Sequence, residues 1–356
     1  PSPMIRFITR KWPPAVGGME IYSLKLSQAL AALAPLEVMA LPGRADGSPP
    51  SAFALLRFGV STALRLLFTR RPEGTVHIGD MASWPLALVA QLRSRNWRRV
   101  VSAHGTDVSY PRRGGFRGTA YGFYLKVGSR CLSDTIIIAN STTTAACTES
   151  YGFAPPLVIP LATALRTPSR PGPPEKFVLF AGRLVERKGC AWFIRQVLPR
   201  LPEDITLKVC GTLWSEAEGA ALRDPRVAFL GPKTQDEVAV LYAQALCVVA
   251  PNIALPNGEF EGFGMVATEA SACGGVSLAA NIDGLQEAVV DNVTGFLLPS
   301  GDPDAWVGKI SEVSSWSAQR RQEFLQRSMA EAHRRYTWER VAQETLAAYG
   351  RTENPA

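Results

Sequence analysis

The sequence contains no run of about 18 uninterrupted apolar residues, the length that a membrane-spanning helix needs. Residues 51–69 come nearest, but Arg57 and Arg65 interrupt them. The first residues enter an apolar segment at 4–9 without the basic region and long hydrophobic stretch of a signal peptide. We therefore expect neither a transmembrane anchor nor a secretory leader, and a chain that works in the cytoplasm.

Patterned cysteines are also missing. The six cysteines are scattered through apolar runs, with no CxxC pair and no Cys/His spacing typical of a metal site. They are interpreted as buried free thiols in a reducing compartment. No GxGxxG follows a predicted strand, so a nicotinamide-dinucleotide site is poorly supported.

Acidic residues are scarce in the first half. Residues 1–165 carry 18 Lys and Arg against 8 Asp and Glu, whereas the remainder carries 20 against 23. A basic half indicates an anionic partner, which could be phospholipid headgroups, a pyrophosphate-linked substrate or nucleic acid. A soluble protein that merely has a high-pI half is the plainer alternative.

Short apolar, β-branched runs alternate with longer helix-compatible stretches along the whole chain. This alternation predicts an α/β protein with parallel sheets built from βαβ units. Six strand candidates precede residues 166–174 and six follow, which suggests two Rossmann-like domains. Four prolines in that nine-residue segment cannot continue a helix or a central strand, so it is interpreted as a linker. The strand candidates are residues 4–9, 36–41, 75–80, 98–104, 134–140, 156–161, 177–182, 205–210, 226–230, 246–250, 275–280 and 295–298.

Ligands of such sheets bind beyond the carboxyl ends of the strands, where helix N-termini point outward. After the first strand, Gly17-Gly18 permits close approach of a phosphate before a helix, although such a pair is more often an ordinary turn. After the fourth strand, His104 is placed to hydrogen-bond a sugar hydroxyl, and Asp107 either fixes its tautomer or contacts an acceptor. A structural turn with a capping Asp107 is equally compatible with this segment.

Two segments of the second half carry the strongest signals. Arg183 and Lys188 follow a strand, and their fork and point charge suit a diphosphate. Fixed cations there would stabilise charge on a leaving phosphate without a divalent metal. Further on, Glu261 and Glu269 flank a Gly-Phe-Gly that opens a helix predicted from Met265. Exposed amides and carboxylates at a helix start suit sugar hydroxyls.

These segments together resemble glycosyltransferase family 4 in order and spacing over nearly the whole chain. The Glu-x7-Glu string with upstream Arg and Lys is the specific part of the match. The resemblance implies the GT-B fold, in which two Rossmann-like domains face each other across a cleft. The segments that carry it are Gly17-Gly18-Met-Glu20, His104-Gly-Thr-Asp107, Asn140-Ser141, Gly182-Arg183 with Lys188-Gly189, Glu261-x7-Glu269 and Gly295-Phe-Leu-Leu.

The resemblance also implies domain limits. Residues 1–165 would form the acceptor-binding domain, joined by residues 338–356 as a helix that returns from the end of the chain. Residues 175–337 would bind the nucleotide-sugar donor. The loop 281–287 departs from the family's Gly-Gly-x-Pro-Glu, which puts donor contacts from that loop in doubt. The stretch between Pro251 and Glu261 is longer than in many members.

Family roles carry over to residues at matching positions. Arg183 and Lys188 would bind the diphosphate, Glu261 the donor sugar and Glu269 the ribose, while His104 would approach the sugar. The catalytic set would be Arg183, Lys188, Glu261 and His104. Transfer would retain the anomeric configuration and need no metal or other cofactor, with the leaving phosphate helping to deprotonate the acceptor. The donor-binding set would be Gly17, Gly18, Gly182, Arg183, Lys188, Glu261, Gly262, Phe263, Gly264, Met265, Val266 and Glu269.

The segment 110–126 interleaves basic and aromatic residues directly after His104 and so should border the acceptor. Its acceptor-side candidates are Asp107, Tyr110, Arg112 and Arg113. Basic and aromatic residues on one segment suit anionic headgroups. We therefore expect a glycan or polyprenyl-linked acceptor of cell-envelope synthesis and peripheral attachment to the inner face of the membrane. Residues 52–71 are a second candidate contact, through Leu55, Leu56, Phe58, Leu66, Leu67 and Phe68; a core helix flanked by solvated arginines is the alternative.

Three other functions compete with a UDP- or GDP-sugar transferase. A basic nucleic-acid-binding protein would lack any recognisable binding motif and would leave the two glutamates unexplained, so no nucleic-acid partner is expected. A nucleotide-sugar epimerase shares the GT-B architecture but would need an acid/base set that the sequence does not reveal. A non-catalytic member is disfavoured by the intact Arg183, Lys188, Glu261 and Glu269.

Overall fold

A computed structural model describes residues 4–167 and 172–350. The α/β prediction is confirmed: the described chain has two parallel sheets of six strands each. Unit 1 comprises residues up to Leu161 together with the stretch that begins at Trp338, and unit 2 runs from Ala162 to Thr337. The division therefore falls slightly before the proline-rich segment 166–174, of which residues 168–171 lie outside the described residues.

Unit 1 is built on a sheet with the strand order β2-β1-β3-β4-β5-β6. Its parallel strands match the six sequence candidates of the first half and alternate with helices. The strands are β1 (Ile5–Trp12), β2 (Leu36–Pro42), β3 (Gly74–Ile78), β4 (Trp97–Ala103), β5 (Thr135–Ala139) and β6 (Leu157–Val158). The helices are α1 (Gly18–Ala31), α2 (Ala52–Leu67), α3 (Trp84–Arg93), α4 (Thr106–Ser109), α5 (Gly115–Cys131), α6 (Thr142–Glu149) and, from the end of the chain, α14 (Trp338–Gly350).

The helix α14 packs within unit 1 beside α1. The buried His77 of β3 holds it in place, because its Nδ1 lies 2.6 Å from the Tyr349 hydroxyl and its Nε2 lies 2.7 Å from Ser102 Oγ. Arg340 donates to the carbonyl of Pro160 at 2.6 Å. Burial lowers the pKa of His77 to about 3, so this strand histidine is a neutral structural residue.

Unit 2 repeats the architecture with the strand order β12-β11-β10-β7-β8-β9. Its core strands are almost wholly buried apolar residues, as parallel sheets covered on both faces require. The strands are β7 (Phe177–Ala181), β8 (Thr206–Cys210), β9 (Val227–Gly231), β10 (Cys247–Ala250), β11 (Ser277–Ala280) and β12 (Gly295–Leu298). The helices are α7 (Cys190–Gln196), α8 (Glu216–Ala221), α9 (Gln235–Gln244), α10 (Met265–Ala272), α11 (Leu285–Ala288), α12 (Pro303–Ser314) and α13 (Ala318–Arg335).

All six cysteines are free thiols, and five of them are buried. Burial raises the pKa of Cys247 to about 12 and that of Cys210 to about 11, so these thiols stay protonated and unreactive. The cysteines therefore serve packing.

Candidate functional site

The helix α10 begins at Met265, as the sequence predicts, and a glycine makes that start possible. Gly264 caps it in the left-handed conformation, with φ of 89°. A Cβ at this position would lie 2.3 Å from Leu285 Cδ2, so a larger residue would be strained as well as crowded. The amides of the first turn, including those of Met265 and Val266, have no acceptor within the helix itself. This edge of unit 2 is therefore suited to hydroxyl or phosphate oxygens.

Glu261 lies in the loop before this helix and forms an ion pair with Lys188. Only 12% of its side chain is exposed, and 17% of the lysine's. Asn252 donates its side-chain amide to Glu261 Oε2 at 3.3 Å. Lys188 and Glu261, which are 73 positions apart in the sequence, thus form one largely buried ion pair on adjacent loops.

Three cations set the ionisation of Glu261. Burial alone would raise the pKa of this carboxyl, but Lys188, Arg187 and Arg183 together lower it to about 2. Burial also disfavours the charged form of Lys188 and so lowers its pKa, while attraction to the Glu261 carboxylate acts in the opposite direction. Because the carboxylate is ionised at neutral pH, it can act only as a hydrogen-bond acceptor, which is the property needed to hold sugar hydroxyls.

The loop that carries Lys188 is fixed to the loop after β10. Gly189 has a φ of 72°, and a Cβ there would lie 1.9 Å from the carbonyl oxygen of Pro251. The amide of Ile253 donates to the carbonyl of Arg187 at 3.0 Å. These backbone contacts bring the two segments together and hold Lys188 against Glu261.

A second support for Glu261 comes from the loop 281–287, the segment that departs from the family pattern. The Glu261 amide donates to Asp283 Oδ2 at 3.2 Å. The Gly284 amide donates to the Glu261 carbonyl at 3.0 Å, and a Cβ on Gly284 would lie 2.1 Å from the Gly262 carbonyl oxygen. No local sequence pattern indicates this support, because it depends on backbone proximity between loops more than 20 residues apart.

Glu269 lies in the fifth position of α10, where its Oε2 accepts a 2.8 Å hydrogen bond from the Tyr242 hydroxyl. Burial raises the pKa of Glu269, while the Tyr242 hydrogen bond and Lys188 oppose the shift. One carboxylate oxygen is thus engaged by a buried tyrosine. Phe263 is 2% exposed and lies edge-on to Tyr336 at 6.4 Å between ring centroids, so its side chain anchors the loop and only its backbone can serve a ligand.

Arg183 follows β7 directly after Gly182, whose φ of 146° only glycine adopts readily. Its guanidinium carbon lies 5.4 Å from the ring centroid of Trp214. Unit 2 therefore brings the predicted residues Gly182, Arg183, Lys188, Glu261 and Glu269 to the carboxyl edge of one sheet, around the start of α10.

In unit 1, Gly17 is the residue before α1 and Gly18 its first residue. Glu20 in the first turn pairs with Lys11 at 3.7 Å. A Cβ on Gly17 would lie 2.4 Å from Glu20 Oε2, so the glycine leaves room for this carboxylate beside the helix start. An anionic group in the first turn is favourable for the helix but competes with any phosphate placed there.

His104 follows β4, and its ring is oriented by the backbone. Its Nε2 donates to the carbonyl of Gly79 at 2.7 Å, which leaves Nδ1 as the acceptor of the neutral ring. The ring also lies edge-on to Tyr22, with centroids 4.6 Å apart. A histidine held in one tautomer at a strand end can accept a hydrogen bond from a hydroxyl.

Asp107 has the structural role that the sequence left open. Its carboxylate accepts the amides of His104, Gly105 and Met81 at 2.8, 3.1 and 3.0 Å, and the residue is 5% exposed. The suggestion that Asp107 fixes the His104 tautomer is therefore corrected: the Gly79 carbonyl does so. A carboxylate that is buried and accepts three amides is a turn cap, poorly placed for an acceptor.

Of the other acceptor-side candidates, Arg112 and Arg113 are exposed and Tyr110 is half-buried. The Arg113 guanidinium lies over the Tyr110 ring at 5.4 Å. In the helix α5 that follows, Phe116 and Phe123 are 89% and 66% exposed. The segment therefore presents basic and aromatic side chains to solvent.

The helix α2 exposes a different set of residues from the one predicted. Leu66 is buried, and Leu55 and Phe58 are half-buried, so these three pack inward. Its exposed apolar side chains recur at helical spacing and form a single stripe. We call this the α2 stripe: Phe53, Leu56, Val60, Leu64, Leu67 and Phe68.

Sequence reasoning also missed an ion pair at the carboxyl edge of unit 1. Arg10 donates from Nε to both oxygens of Asp80 at 3.2 and 3.1 Å, and Asp80 is completely buried. Arg10 lies on β1, and Asp80 follows the neighbouring strand β3, 70 positions further along the chain, so no local pattern links them.

Among the described residues, no group of three or more His, Cys, Asp or Glu side chains could hold a metal ion. Within the same residues, no helix combines the length and the apolarity needed to cross a bilayer.

Comparisons with known proteins find similarity to glycosyltransferases. Residues 175–315 match the family described as "Glycosyl transferases group 1". The D-inositol 3-phosphate glycosyltransferase of Salinispora tropica is 33% identical over 189 residues, covering 49% of this chain and 38% of the relative. An uncharacterized glycosyltransferase of Methanocaldococcus jannaschii is 29% identical over 182 residues, covering 49% of this chain and 45% of the relative. The matches thus span less than half the length of these curated relatives.

Solved structures resemble the chain over nearly its whole length. Sucrose-phosphate synthase from Thermosynechococcus elongatus matches with a TM-score of 0.74 and 21% identity over 98% of both chains. Anabaena HepE, solved in complex with UDP and glucose, matches with a TM-score of 0.71 and 18% identity, covering 98% of this chain and 99% of the other. The prediction of the GT-B fold is confirmed. The resemblance to glycosyltransferases is confirmed as well, and these matches are consistent with family 4.

Proposed function

We propose that this chain, which has the GT-B fold and a group 1 glycosyltransferase match in unit 2, transfers a sugar from a UDP- or GDP-linked donor to a glycan or lipid-linked acceptor. The donor would lie at the carboxyl edge of unit 2. Among the structural neighbours, the Anabaena protein has been solved with UDP and with UDP-glucose, which makes a uridine donor the first to test.

The observation that carries the proposal is the Lys188–Glu261 pair beside the start of α10. A carboxylate that is ionised at neutral pH can accept hydrogen bonds from vicinal hydroxyls, and the cations Lys188 and Arg183 complement a diphosphate. Helix amides lie next to both. Groups suited to bind the sugar, the phosphates and the ribose thus lie together at the carboxyl edge of the unit 2 sheet. Glu269 is the group proposed for the ribose.

In this proposal the cations also act in the chemical step. As the bond between sugar and phosphate breaks, negative charge accumulates on the leaving diphosphate, and Arg183 and Lys188 stabilise it. The leaving phosphate would take the acceptor's proton on the same face, so the anomeric configuration is retained. His104, with Nδ1 as the acceptor of its neutral ring, would hydrogen-bond the transferred sugar. The reaction would need no metal.

The acceptor would be bound by unit 1, close to an anionic membrane surface on the cytoplasmic side. Two exposed features support this part of the proposal: the α2 stripe and the basic-aromatic segment 110–126. Residues 47–72 contain four arginines and no acidic residue. Apolar side chains flanked by arginines suit the boundary between headgroups and acyl chains. A polyprenyl-linked or other envelope acceptor would be presented there.

The proposal is tested by thermal stability in the presence of UDP-, GDP- and ADP-sugars. A ligand at a hundred times its Kd adds about 2.7 kcal/mol to the stability of the folded state, which raises Tm by several degrees. The sugars that stabilise the protein are then incubated with candidate acceptors, including D-inositol 3-phosphate because of the curated relatives' names. If no nucleotide or nucleotide sugar raises Tm, the proposal is wrong.

Product analysis separates the alternatives. A glycosylated product supports transfer, whereas recovery of an isomerised nucleotide sugar would identify an epimerase. Salt-dependent binding of duplex DNA without any turnover of nucleotide sugar would favour a nucleic-acid-binding protein.

A further inference from the structure

Trp214 is a large aromatic side chain that is 65% exposed in unit 2, more than Phe229 of the same unit at 43%. Exposed tryptophans are uncommon because burying the ring is favourable. This one follows β8 and lies against Arg183, one of the predicted diphosphate ligands. Its position calls for an explanation that packing does not supply.

The loops that carry Arg183 and Trp214 are joined through their backbones. Beyond the paired strands β7 and β8, the Leu184 amide donates to the Thr212 carbonyl at 2.8 Å, and the Trp214 amide donates to the Leu184 carbonyl at 3.3 Å. Parallel pairing continues between Leu184 and Leu213. The sheet is thus extended by these residues, and both side chains stand on a rigid support rather than on free loops.

Glycine allows the two loops to approach this closely. Gly211 has a φ of 141°, and a Cβ there would lie 1.8 Å from the Gly182 carbonyl oxygen. The Gly182 amide in turn donates to the Cys210 carbonyl at 2.9 Å. The distance between the Arg183 and Trp214 backbones is therefore fixed by the fold.

The indole ring is oriented as well. Its Nε1 donates to Thr212 Oγ1 at 2.8 Å, which restricts rotation of the ring. The guanidinium carbon of Arg183 lies 5.4 Å from the ring centroid, within the range of a cation–π contact. The ring therefore offers the guanidinium a defined surface on which to lie.

We propose that Trp214 is a positioning residue, which holds the Arg183 guanidinium in place for the donor's diphosphate. An arginine side chain has about 2 kcal/mol of rotamer entropy to lose on binding, and a stacking surface restricts it in advance. Trp214 would thus raise diphosphate affinity without touching the ligand. This inference rests on the proposed function, because it assumes that a nucleoside diphosphate binds beside Arg183.

The test is a double-mutant cycle on Kd values measured by calorimetry, with UDP and GDP as probes. Trp214→Ala is expected to weaken diphosphate binding roughly three- to tenfold, the range of one cation–π contact. Trp214→Phe retains a stacking ring and should restore most of the affinity. In the Arg183→Ala background, Trp214→Ala should not weaken diphosphate binding further, because Trp214 is proposed to act only through Arg183. Leu213→Ala, an exposed neighbour in the same loop, is the matched control and should bind normally.

A second readout separates positioning from direct contact. Binding of uridine or guanosine, which have no phosphates, should be unchanged by Trp214→Ala. The inference is overturned if Trp214→Ala leaves diphosphate affinity unchanged, or if its effect persists in the Arg183→Ala background or with the bare nucleoside. The last two results would mean that the ring touches the ligand itself. Failure of the wild-type protein to bind either diphosphate would instead refute the proposed function.

Discussion

Units 1 and 2 each contain a six-stranded parallel sheet, yet they distribute apolar surface differently. Of the eighteen exposed large hydrophobic residues in the described chain, fourteen lie in unit 1 and four in unit 2. Charge differs in the same sense: unit 1 carries 20 Lys and Arg against 11 Asp and Glu, and unit 2 carries 18 against 20. Unit 1 is thus the basic half, with most of the exposed apolar surface.

At the carboxyl sheet edge of unit 2, Lys188 and Glu261 are largely buried, whereas Arg183 is exposed. Lys188 and Glu261 form their pair on adjacent loops, and Arg183 stands against Trp214 at the same sheet edge. The same sheet architecture thus carries a largely buried ion pair at the sheet edge of unit 2 and many exposed apolar and basic side chains in unit 1. Substitutions in one unit at a time test this difference between the units.

The largest effect is expected from Lys188→Met in unit 2. In the proposed function Lys188 stabilises the leaving diphosphate, so its removal should lower turnover of the nucleotide sugar by about 100- to 1000-fold. Steady-state kinetics measure the effect, with circular dichroism to confirm folding. Lys176→Met is the matched control, because Lys176 is a largely exposed lysine of the same unit that pairs with Asp204. Wild-type turnover in a folded Lys188→Met protein would contradict the assignment.

A pH-dependent change in stability is expected from Glu261→Gln. The pKa of Glu261 is about 2 in the folded protein against an ordinary value of 4.5. Because the folded value is lower, the ionised pair contributes stability that is complete above about pH 4.5 and lost as pH falls toward 2. By linkage the contribution is about 3 kcal/mol at neutral pH and about 1 kcal/mol at pH 3.

Urea unfolding of wild type and Glu261→Gln at pH 7 and pH 3 measures this difference. The two free energies of unfolding should converge on acidification, since glutamine cannot ionise. Glu216→Gln, at an exposed position of the same unit, should show little difference from wild type at either pH. A difference for Glu261→Gln that is the same at both pH values would show that the ion pair is not its source.

Disrupting the α2 stripe tests the unit 1 side of the comparison. Leu56→Glu combined with Leu64→Glu should weaken binding to vesicles of mixed zwitterionic and anionic lipid by about tenfold or more, because two apolar side chains no longer enter the interface. Flotation assays at low salt measure the bound fraction. Val240→Glu makes the same kind of change at an exposed site of unit 2 and should leave binding intact. Wild-type protein that stays in solution with these vesicles would remove the membrane from the proposal.

The smallest effect is expected at His104. In the proposed function His104 makes one hydrogen bond to the transferred sugar, so His104→Asn should lower kcat/KM by roughly five- to tenfold. His333→Asn provides the comparison. The Nε2 atom of His333 also lies beside a backbone carbonyl, that of Ala272 at 2.8 Å, but His333 is on α13 of unit 2. Equal effects of the two changes would indicate that only structure is affected.

Much of this molecule could be predicted from local pattern. All twelve strands occur where short apolar runs indicate them, and α10 starts at Met265 because a Gly-Phe-Gly precedes it. Glu261 and Lys188 were singled out by residue type and order. Such signals are local in sequence, and periodicity and turn chemistry record them directly.

The features that were missed depend on contacts between distant segments. Each of them joins neighbouring strands or loops whose proximity only the fold creates. They are the hydrogen bond from the Glu261 amide to Asp283, the Arg10–Asp80 ion pair and the contact of Trp214 with Arg183. The α2 stripe shows a related limit. Apolar residues cover most of this helix, so its periodicity cannot tell which ones the sheet covers, and three of the residues assigned to the surface pack inward.

Hydrogen–deuterium exchange with and without a saturating nucleoside diphosphate locates the donor site, because it reports separately on the two units. We expect slower exchange in the segments around 182–189 and 261–269 of unit 2 when UDP or GDP binds. Protection confined to unit 1, or no protection in either segment with a diphosphate demonstrably bound, would contradict it.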